Sequence, residues 1–254
     1  MNSQSELEGR VASGQITWAG PAMVMVGRSF FMIAAQALVA ALYAMRGHPS
    51  AWNAAAPWWS VYGTLVDIGC LTLMAKFTRA EGIRLRDLIG RIRLRRGQDL
   101  FLGIGCFLLS MVLFGAAGTL ATKLVFGTMQ GIPYPGLLSA RRLPVWAVIY
   151  SLSVWWLIWS PTEEMTYNGY VLPRIQALTG RKWIAVLMVG FWWALQHSFL
   201  PLIWDWKYVL WRFLFFLPGV LAITLVYLWV RRLPPLILAH WAMDVSAQIY
   251  TLNF

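Results

Sequence analysis

The sequence predicts an all-α fold, a polytopic transmembrane helical bundle of about seven spans, with six to eight allowed by the uncertain ends. Three observations support this class. Hydrophobic residues occupy 59% of the 254 positions and charged residues only 12%, about half the charged share of an ordinary soluble domain. The 16 tryptophans suit the interface between membrane and water. Several apolar runs also reach the roughly 20 residues that a helix needs to cross a bilayer.

Seven runs meet that length, with ends defined only to within several residues. They lie near 22–45, 55–77, 100–126, 144–172, 183–204, 208–230 and 234–252. Residues 1–15 are polar and are predicted to form an N-terminal tail, whereas 16–254 form a single transmembrane domain. Pro161, Pro173 and Pro218 lie in the later runs and are expected to kink or end helices locally.

The first two runs each carry an isolated charge. Arg28 lies near the start of its run, from which a long side chain can extend to the interface, and Asp67 is alone in the second run. We interpret both as structural, either in an ion pair or in a satisfied polar contact.

The basic residues predict the orientation. Lysines and arginines are concentrated in 76–96, which the positive-inside rule places in the cytoplasm together with the N-terminus. The net charge of +11 is then a topology signal, and nucleic-acid binding is not expected. We predict a multi-pass integral protein of a bacterial inner (cytoplasmic) membrane.

Five polar residues of the later runs are predicted to converge. Glu163 and Glu164 are adjacent and point about 100° apart on a helix, so both can reach one cavity. His240 and Asp244 are four residues apart and therefore share a helix face. His197 follows an apolar stretch. Its expected depth in the membrane matches that of the other four residues if the helices are tilted. Ionisable residues at such depth indicate function by default.

These residue types suit the activation of water. A buried carboxylate beside imidazoles can accept a proton from water, and the second carboxylate can orient a histidine. Imidazole N–H groups can donate to a developing oxyanion. Together they can hydrolyse a peptide bond without a serine or cysteine nucleophile.

Two other chemistries stay open from the residues alone. Ser160, Ser198 and Ser246 lie near in sequence and are compatible with a Ser–His pair, although none has a G-x-S-x-G setting. A divalent metal such as zinc has nitrogen and oxygen ligands available in His197, His240, Glu163 and Asp244. Because an H-E-x-x-H motif is absent, we predict no cofactor.

Three stretches resemble a known family. EEMTYNGYVLPRI, WALQH and ILAHWAMD are similar, in order and spacing, to the three signatures of the CPBP family. This family comprises CAAX-processing and bacteriocin-processing intramembrane proteases, also called Abi proteins. The resemblance covers about 163–244 and identifies a catalytic core at 144–252, whereas the first three spans match only as hydrophobic helices.

The resemblance implies a helical bundle with a catalytic cavity open to the cytoplasmic leaflet. It also implies a glutamic protease in which Glu163 activates water, Glu164 supports the site and His197 works with the water. It assigns oxyanion stabilisation to His240 and Asp244.

The sequence departs from the family pattern at three positions. Asn168 stands where an arginine is usual, which removes a fixed charge near the glutamates. Trp193 replaces a common phenylalanine. Asp244 replaces asparagine, and a carboxylate repels an oxyanion unless it is protonated.

The function predicted is that of an intramembrane endopeptidase acting on a membrane-associated peptide or protein. The substrate classes implied by the resemblance are prenylated CAAX tails, bacteriocin or signalling peptides, and C-terminal sorting tails. One alternative is a non-catalytic protein of the same fold that confers immunity or binds a partner. Another is a proton-coupled transporter with a carboxylate and histidine relay.

Overall fold

The computed structural model describes residues 4–90, 96–129, 131, 134–139 and 142–252. Within these ranges every regular element is a helix, which confirms the all-α prediction. The α-helices are α1 (Gln4–Ala12), α2 (Ala19–Met45), α3 (Ala51–Ala55), α4 (Trp59–Ala80), α5 (Arg96–Phe126), α6 (Pro135–Leu138), α7 (Val145–Tyr150), α8 (Trp156–Glu164), α9 (Leu172–Thr179), α10 (Lys182–Gln196), α11 (Trp206–Val230) and α12 (Pro234–Thr251).

Two π-helical segments join α7, α8 and α9 into one helix over 145–179. They are Ser151–Trp155 and Met165–Val171, and Pro161 lies inside α8 between them. A π turn adds a residue to the helical turn and is frequent at functional sites. The glutamate pair lies directly before the second π segment.

Four segments are long and apolar enough to cross a membrane. They are Ala19–Met45, Ala51–Ala80, Gly97–Phe126 and Trp206–Val230. Helix α10 is apolar but has only 15 residues, and neither 145–179 nor α12 is among the four. These helices are those of an integral membrane protein, and the count of seven spans stays a prediction.

Helix α5 forms an outer face of the bundle. Only 22% of its most apolar window is buried, and Phe101 is 80% exposed, as expected for a lipid-facing helix. On its other side α5 packs against α11 and α12. Gly219 of α11 admits the Phe114 ring so closely that a Cβ there would lie 2.2 Å from it. In a bilayer the hydrophobic effect does not drive helices together, and small residues such as glycine allow the close packing that stabilises their contact.

The predicted polar tail contains helix α1. Leu7 and Ile16 are buried and pack with Ala177 of α9. Helix α1 and Ile16 therefore pack against the long helix that carries the glutamate pair.

The ends of two helices are defined by side-chain and backbone chemistry. Helix α9 ends at Thr179 and is followed by Gly180, whose φ of +66° is readily adopted only by glycine. Helix α11 begins after Asp205, which accepts a hydrogen bond from the Lys207 amide at 2.9 Å. The Tyr134 hydroxyl also donates to Asp205 and lowers the pKa of that carboxyl below its ordinary value.

A buried ion pair connects α9 to the end of α4. Arg174 and Glu81 are 2% and 5% exposed, and Arg174 Nε donates to Glu81 Oε1 at 2.8 Å while Nη2 donates to Oε2. Tyr170 donates to the same carboxylate at 3.0 Å, and its ring lies 3.8 Å from the guanidinium carbon. Two parallel N–H donors on one carboxylate form a strong, directional contact.

We expect Glu81→Gln to lower the free energy of unfolding by about 3–5 kcal/mol, because the guanidinium of Arg174 is then buried without a counter-charge. Chemical unfolding of the purified protein in detergent micelles measures this loss. Glu8→Gln is the control, since Glu8 is exposed on α1. A loss for Glu81→Gln as small as that of the control would contradict the role given to this pair.

Candidate active site

The five residues selected from the sequence lie together at the centre of the bundle. Glu163 and Glu164 are the last residues of α8, and His197 directly follows α10. His240 and Asp244 lie one turn apart on α12. Ion-pair distances between 3.1 and 3.8 Å connect these side chains. Three elements that are distant along the chain therefore meet at one site.

The Glu163 carboxylate is fully buried and holds the central position. Its Oε1 accepts a hydrogen bond from Trp193 Nε1 at 2.5 Å and another from the Gln196 side-chain amide. His197 Nε2 lies 3.6 Å from the same oxygen. The other oxygen, Oε2, lies 3.8 Å from His240 Nε2 and makes no hydrogen bond within the described residues. One oxygen is thus fixed, and the other has a free acceptor position.

Glu164 orients the neighbouring histidine. Its Oε1 lies 3.1 Å from His240 Nδ1, and its Oε2 accepts a hydrogen bond from Asn168 Nδ2 at 2.8 Å. When Nδ1 donates to this carboxylate, Nε2 is directed at Glu163 and at Asp244. Such a partner on the second nitrogen sets the tautomer and the ring orientation.

His197 is held by backbone and ring contacts. Its Nδ1 lies 2.7 Å from the Trp193 carbonyl, and because a carbonyl only accepts, Nδ1 carries the proton. The imidazole stacks on Phe216 with 3.8 Å between ring centroids. Arg212 donates to the His197 carbonyl at 3.1 Å and lies over Phe216. These contacts direct Nε2 towards Glu163.

Asp244 differs chemically from the asparagine of the resembled family. Ser160 donates to its Oδ2 at 2.6 Å, and its Oδ1 lies 3.8 Å from His240 Nε2. The carboxylate therefore accepts a hydrogen bond from Ser160, and it lacks the N–H donors that an asparagine side chain would carry.

The three serines considered above do not form a Ser–His pair in the described part of the chain. Ser198 donates to the Val209 carbonyl at 2.9 Å, and Ser246 donates to the Ala242 carbonyl at 2.7 Å. Ser160 contacts Asp244 rather than an imidazole. The geometry gives no support to a serine nucleophile among them.

The metal-ligand hypothesis does not fit the arrangement of these side chains. Over the ranges that the structure describes, no group of three histidine, cysteine, aspartate or glutamate side chains is arranged to hold a metal ion. His197 and His240 approach different oxygens of Glu163, and Oε1 already accepts two N–H groups.

Sequence reasoning missed two contributors to the site. Gln196 donates to Glu163 and accepts a hydrogen bond from the Tyr167 hydroxyl at 2.8 Å, but an amide beside a histidine gives no signal of its own. Arg28 pairs with Asp67 at 3.1 Å, as the structural interpretation predicted, but it also lies 3.7 Å from Glu163 Oε2. Its position inside an apolar run was the available signal.

Comparison with known families agrees with the resemblance in the sequence. A family model described as "Rce1-like: Type II CAAX prenyl endopeptidase Rce1-like" matches residues 144–246. The matched segment contains all five selected residues, and the CPBP resemblance is confirmed. No curated protein and no solved structure gives a significant match.

We expect Asn168→Ala to destabilise the protein by about 1–3 kcal/mol, because Glu164 Oε2 then loses its donor inside the bundle. Unfolding in detergent by denaturant, followed by tryptophan fluorescence, measures the change. Asn53→Ala on α3 is the matched control, since Asn53 is exposed. Equal stability of the two variants would show that Glu164 does not depend on this hydrogen bond.

Proposed function

With an Rce1-like domain of the CAAX protease family over residues 144–246, we propose that this integral membrane protein is an intramembrane endopeptidase of the glutamic type. One observation carries the proposal. The fully buried Glu163 has an imidazole Nε2 on each oxygen, at 3.6 and 3.8 Å. These gaps are too long for direct hydrogen bonds, and Oε2 has no hydrogen-bond donor within the described residues.

In the proposed reaction Glu163 accepts a proton from water through Oε2, the oxygen without a hydrogen-bond donor. The water oxygen forms a bond to the carbonyl carbon of the peptide, and His197 Nε2 orients the attacking water. Glu163 then returns the proton to the amide nitrogen as the C–N bond breaks. The products are one new carboxylic acid, which then releases its proton to solvent, and one new amine, and no covalent enzyme intermediate forms. A general base of this kind contributes about 10²–10⁴-fold to the rate.

Stabilisation of the oxyanion is assigned to His240 and Asp244. A proton held between His240 Nε2 and Asp244 Oδ1, which are 3.8 Å apart, would be donated to the developing charge. Ser160 and Glu164 hold these two side chains in place. Preorganised donors in a water-poor site stabilise such a charge strongly.

The substrate is proposed to reach the site from the side of His197 and Asp244. Their side chains are 15% and 13% exposed, whereas both glutamates are 0% exposed. The preferred substrate is the peptide of a membrane-associated protein, cut near the cytoplasmic leaflet. The cytoplasmic side is proposed from the basic residues of 76–90 and from Arg174, which is joined to them through Glu81.

We expect Glu163→Gln to lower peptide cleavage by about 10²–10⁴-fold, because glutamine keeps the shape of the side chain but cannot take a proton from water. Wild-type and variant proteins are reconstituted in vesicles with a pool of membrane-anchored and prenylated peptides. Mass spectrometry of the products measures cleavage and identifies the bond that is cut.

Glu8→Gln serves as the matched control and should cleave at the wild-type rate, since Glu8 lies on the exposed face of α1. A folded Glu163→Gln variant that still cleaves would overturn the glutamic mechanism. Absence of cleavage by folded wild-type protein would favour the non-catalytic, partner-binding alternative.

The same assay tests the metal alternative. We expect cleavage to continue unchanged in the presence of EDTA, because the proposed base is a carboxylate with no metal in the reaction. A chelator-sensitive zinc protease in identical vesicles is the control for effective chelation. Loss of cleavage that added zinc restores would contradict the proposal.

A further inference from the structure

Arg28 is a fully buried cation outside the matched domain. It lies on α2 and is 0% exposed, and its guanidinium carbon is 4.1 Å from the centre of a Trp159 ring. The cost of burying such a charge is large unless anions compensate for it. The identity of those anions therefore indicates what Arg28 does.

Two carboxylates lie within ion-pair distance of this guanidinium. Nη1 donates to Asp67 Oδ1 at 3.1 Å, and Nη2 lies 3.7 Å from Glu163 Oε2. Nη2 and Glu163 Oε2 each make no hydrogen bond within the described residues. Asp67 thus holds the arginine by a hydrogen bond, whereas Glu163 experiences its charge without being hydrogen-bonded to it.

The site carboxylates have no second fixed cation nearby in the part of the chain that the structure describes. Arg28 is the only lysine or arginine there within 4.0 Å of Glu163, Glu164 or Asp244. The residue one turn after Glu164 is the neutral Asn168, which donates to Glu164 and not to Glu163. A buried carboxylate without a counter-charge takes up a proton, and a protonated Glu163 cannot accept one from water.

We propose that Arg28 is a positioning residue that keeps Glu163 ionised and ready to act as the base. This inference rests on the proposed function of Glu163. Asp67 has a separate role: it accepts a hydrogen bond from Arg28 Nη1 and thereby keeps the guanidinium 3.7 Å from Glu163 Oε2. The lone pair of Oε2 therefore stays free for water, while the positive charge remains close.

The decisive variant is the double substitution Arg28→Met/Asp67→Asn. It removes both partners of the buried pair and leaves neither charge unpaired, a change that is often neutral for stability. If Arg28 serves only to pair with Asp67, the double variant keeps wild-type turnover. Our proposal instead predicts that kcat falls on the order of 10²-fold, as for the loss of one preorganised electrostatic partner, with KM nearly unchanged. Asp67→Asn alone should lower kcat less than the double variant does, because the charge of Arg28 is still present although its fixed position is weakened.

If the double variant does not fold, two single substitutions of Arg28 test whether its positive charge is needed. Arg28→Lys keeps a positive charge near Glu163, whereas Arg28→Gln is polar but neutral. At equal amounts of folded protein, we expect the lysine variant to turn over about 10-fold faster than the glutamine variant, a difference of about 1.4 kcal/mol. Equal rates would overturn the assignment.

Glu163→Gln, assayed beside these variants, separates this inference from the proposed function. If Glu163→Gln still cleaves, the glutamic mechanism itself fails. If Glu163→Gln is inactive while Arg28→Met/Asp67→Asn has wild-type kcat, only the role of Arg28 is wrong.

Discussion

The burial of two adjacent carboxylates is the constraint on which the structure depends. Glu163 and Glu164 have no access to solvent, so each oxygen must find a donor or a positive charge inside the protein. Those partners come from α2, α10 and α12 and from the helix that carries the glutamates. The helices around the pair are therefore fixed in rotation as well as in position, because a turned helix would remove a donor from a buried charge.

The two glutamates accept different hydrogen bonds, and this difference agrees with the separate roles proposed for them. Both oxygens of Glu164 accept hydrogen bonds, from His240 and Asn168, which makes it a structural anchor for an imidazole. Glu163 has two donors on Oε1 and none on Oε2 within the described residues. An asymmetric carboxylate of this kind is held firmly through one oxygen while the other keeps a free acceptor position. The arrangement suits a base whose geometry must not change when its charge changes.

That these five residues lie close together was predictable from the sequence, because ionisable side chains are conspicuous in apolar runs and because a helix has a regular period. Their role in catalysis stays a proposal. That period placed His240 and Asp244 on one face, and the resemblance to CPBP proteins assigned roles to all five residues. Gln196 and the second contact of Arg28 were not predictable in the same way. Gln196 and Arg28 contact the site through atoms of other helices. The spacing of residues within their own segments therefore gives no indication of these contacts. The π segment after Glu164 was not predicted either.

The sequence by itself determined the class of protein, the helical secondary structure and the residues capable of chemistry, since composition and hydrophobic run length act locally along the chain. Only the tertiary structure decided which nitrogen faces which oxygen, that Asp244 accepts from Ser160, and that Arg28 stands beside Glu163 as well as Asp67. The physical reason is that side-chain contacts between helices depend on the rotation and depth of each helix. Packing against all neighbours sets both quantities together.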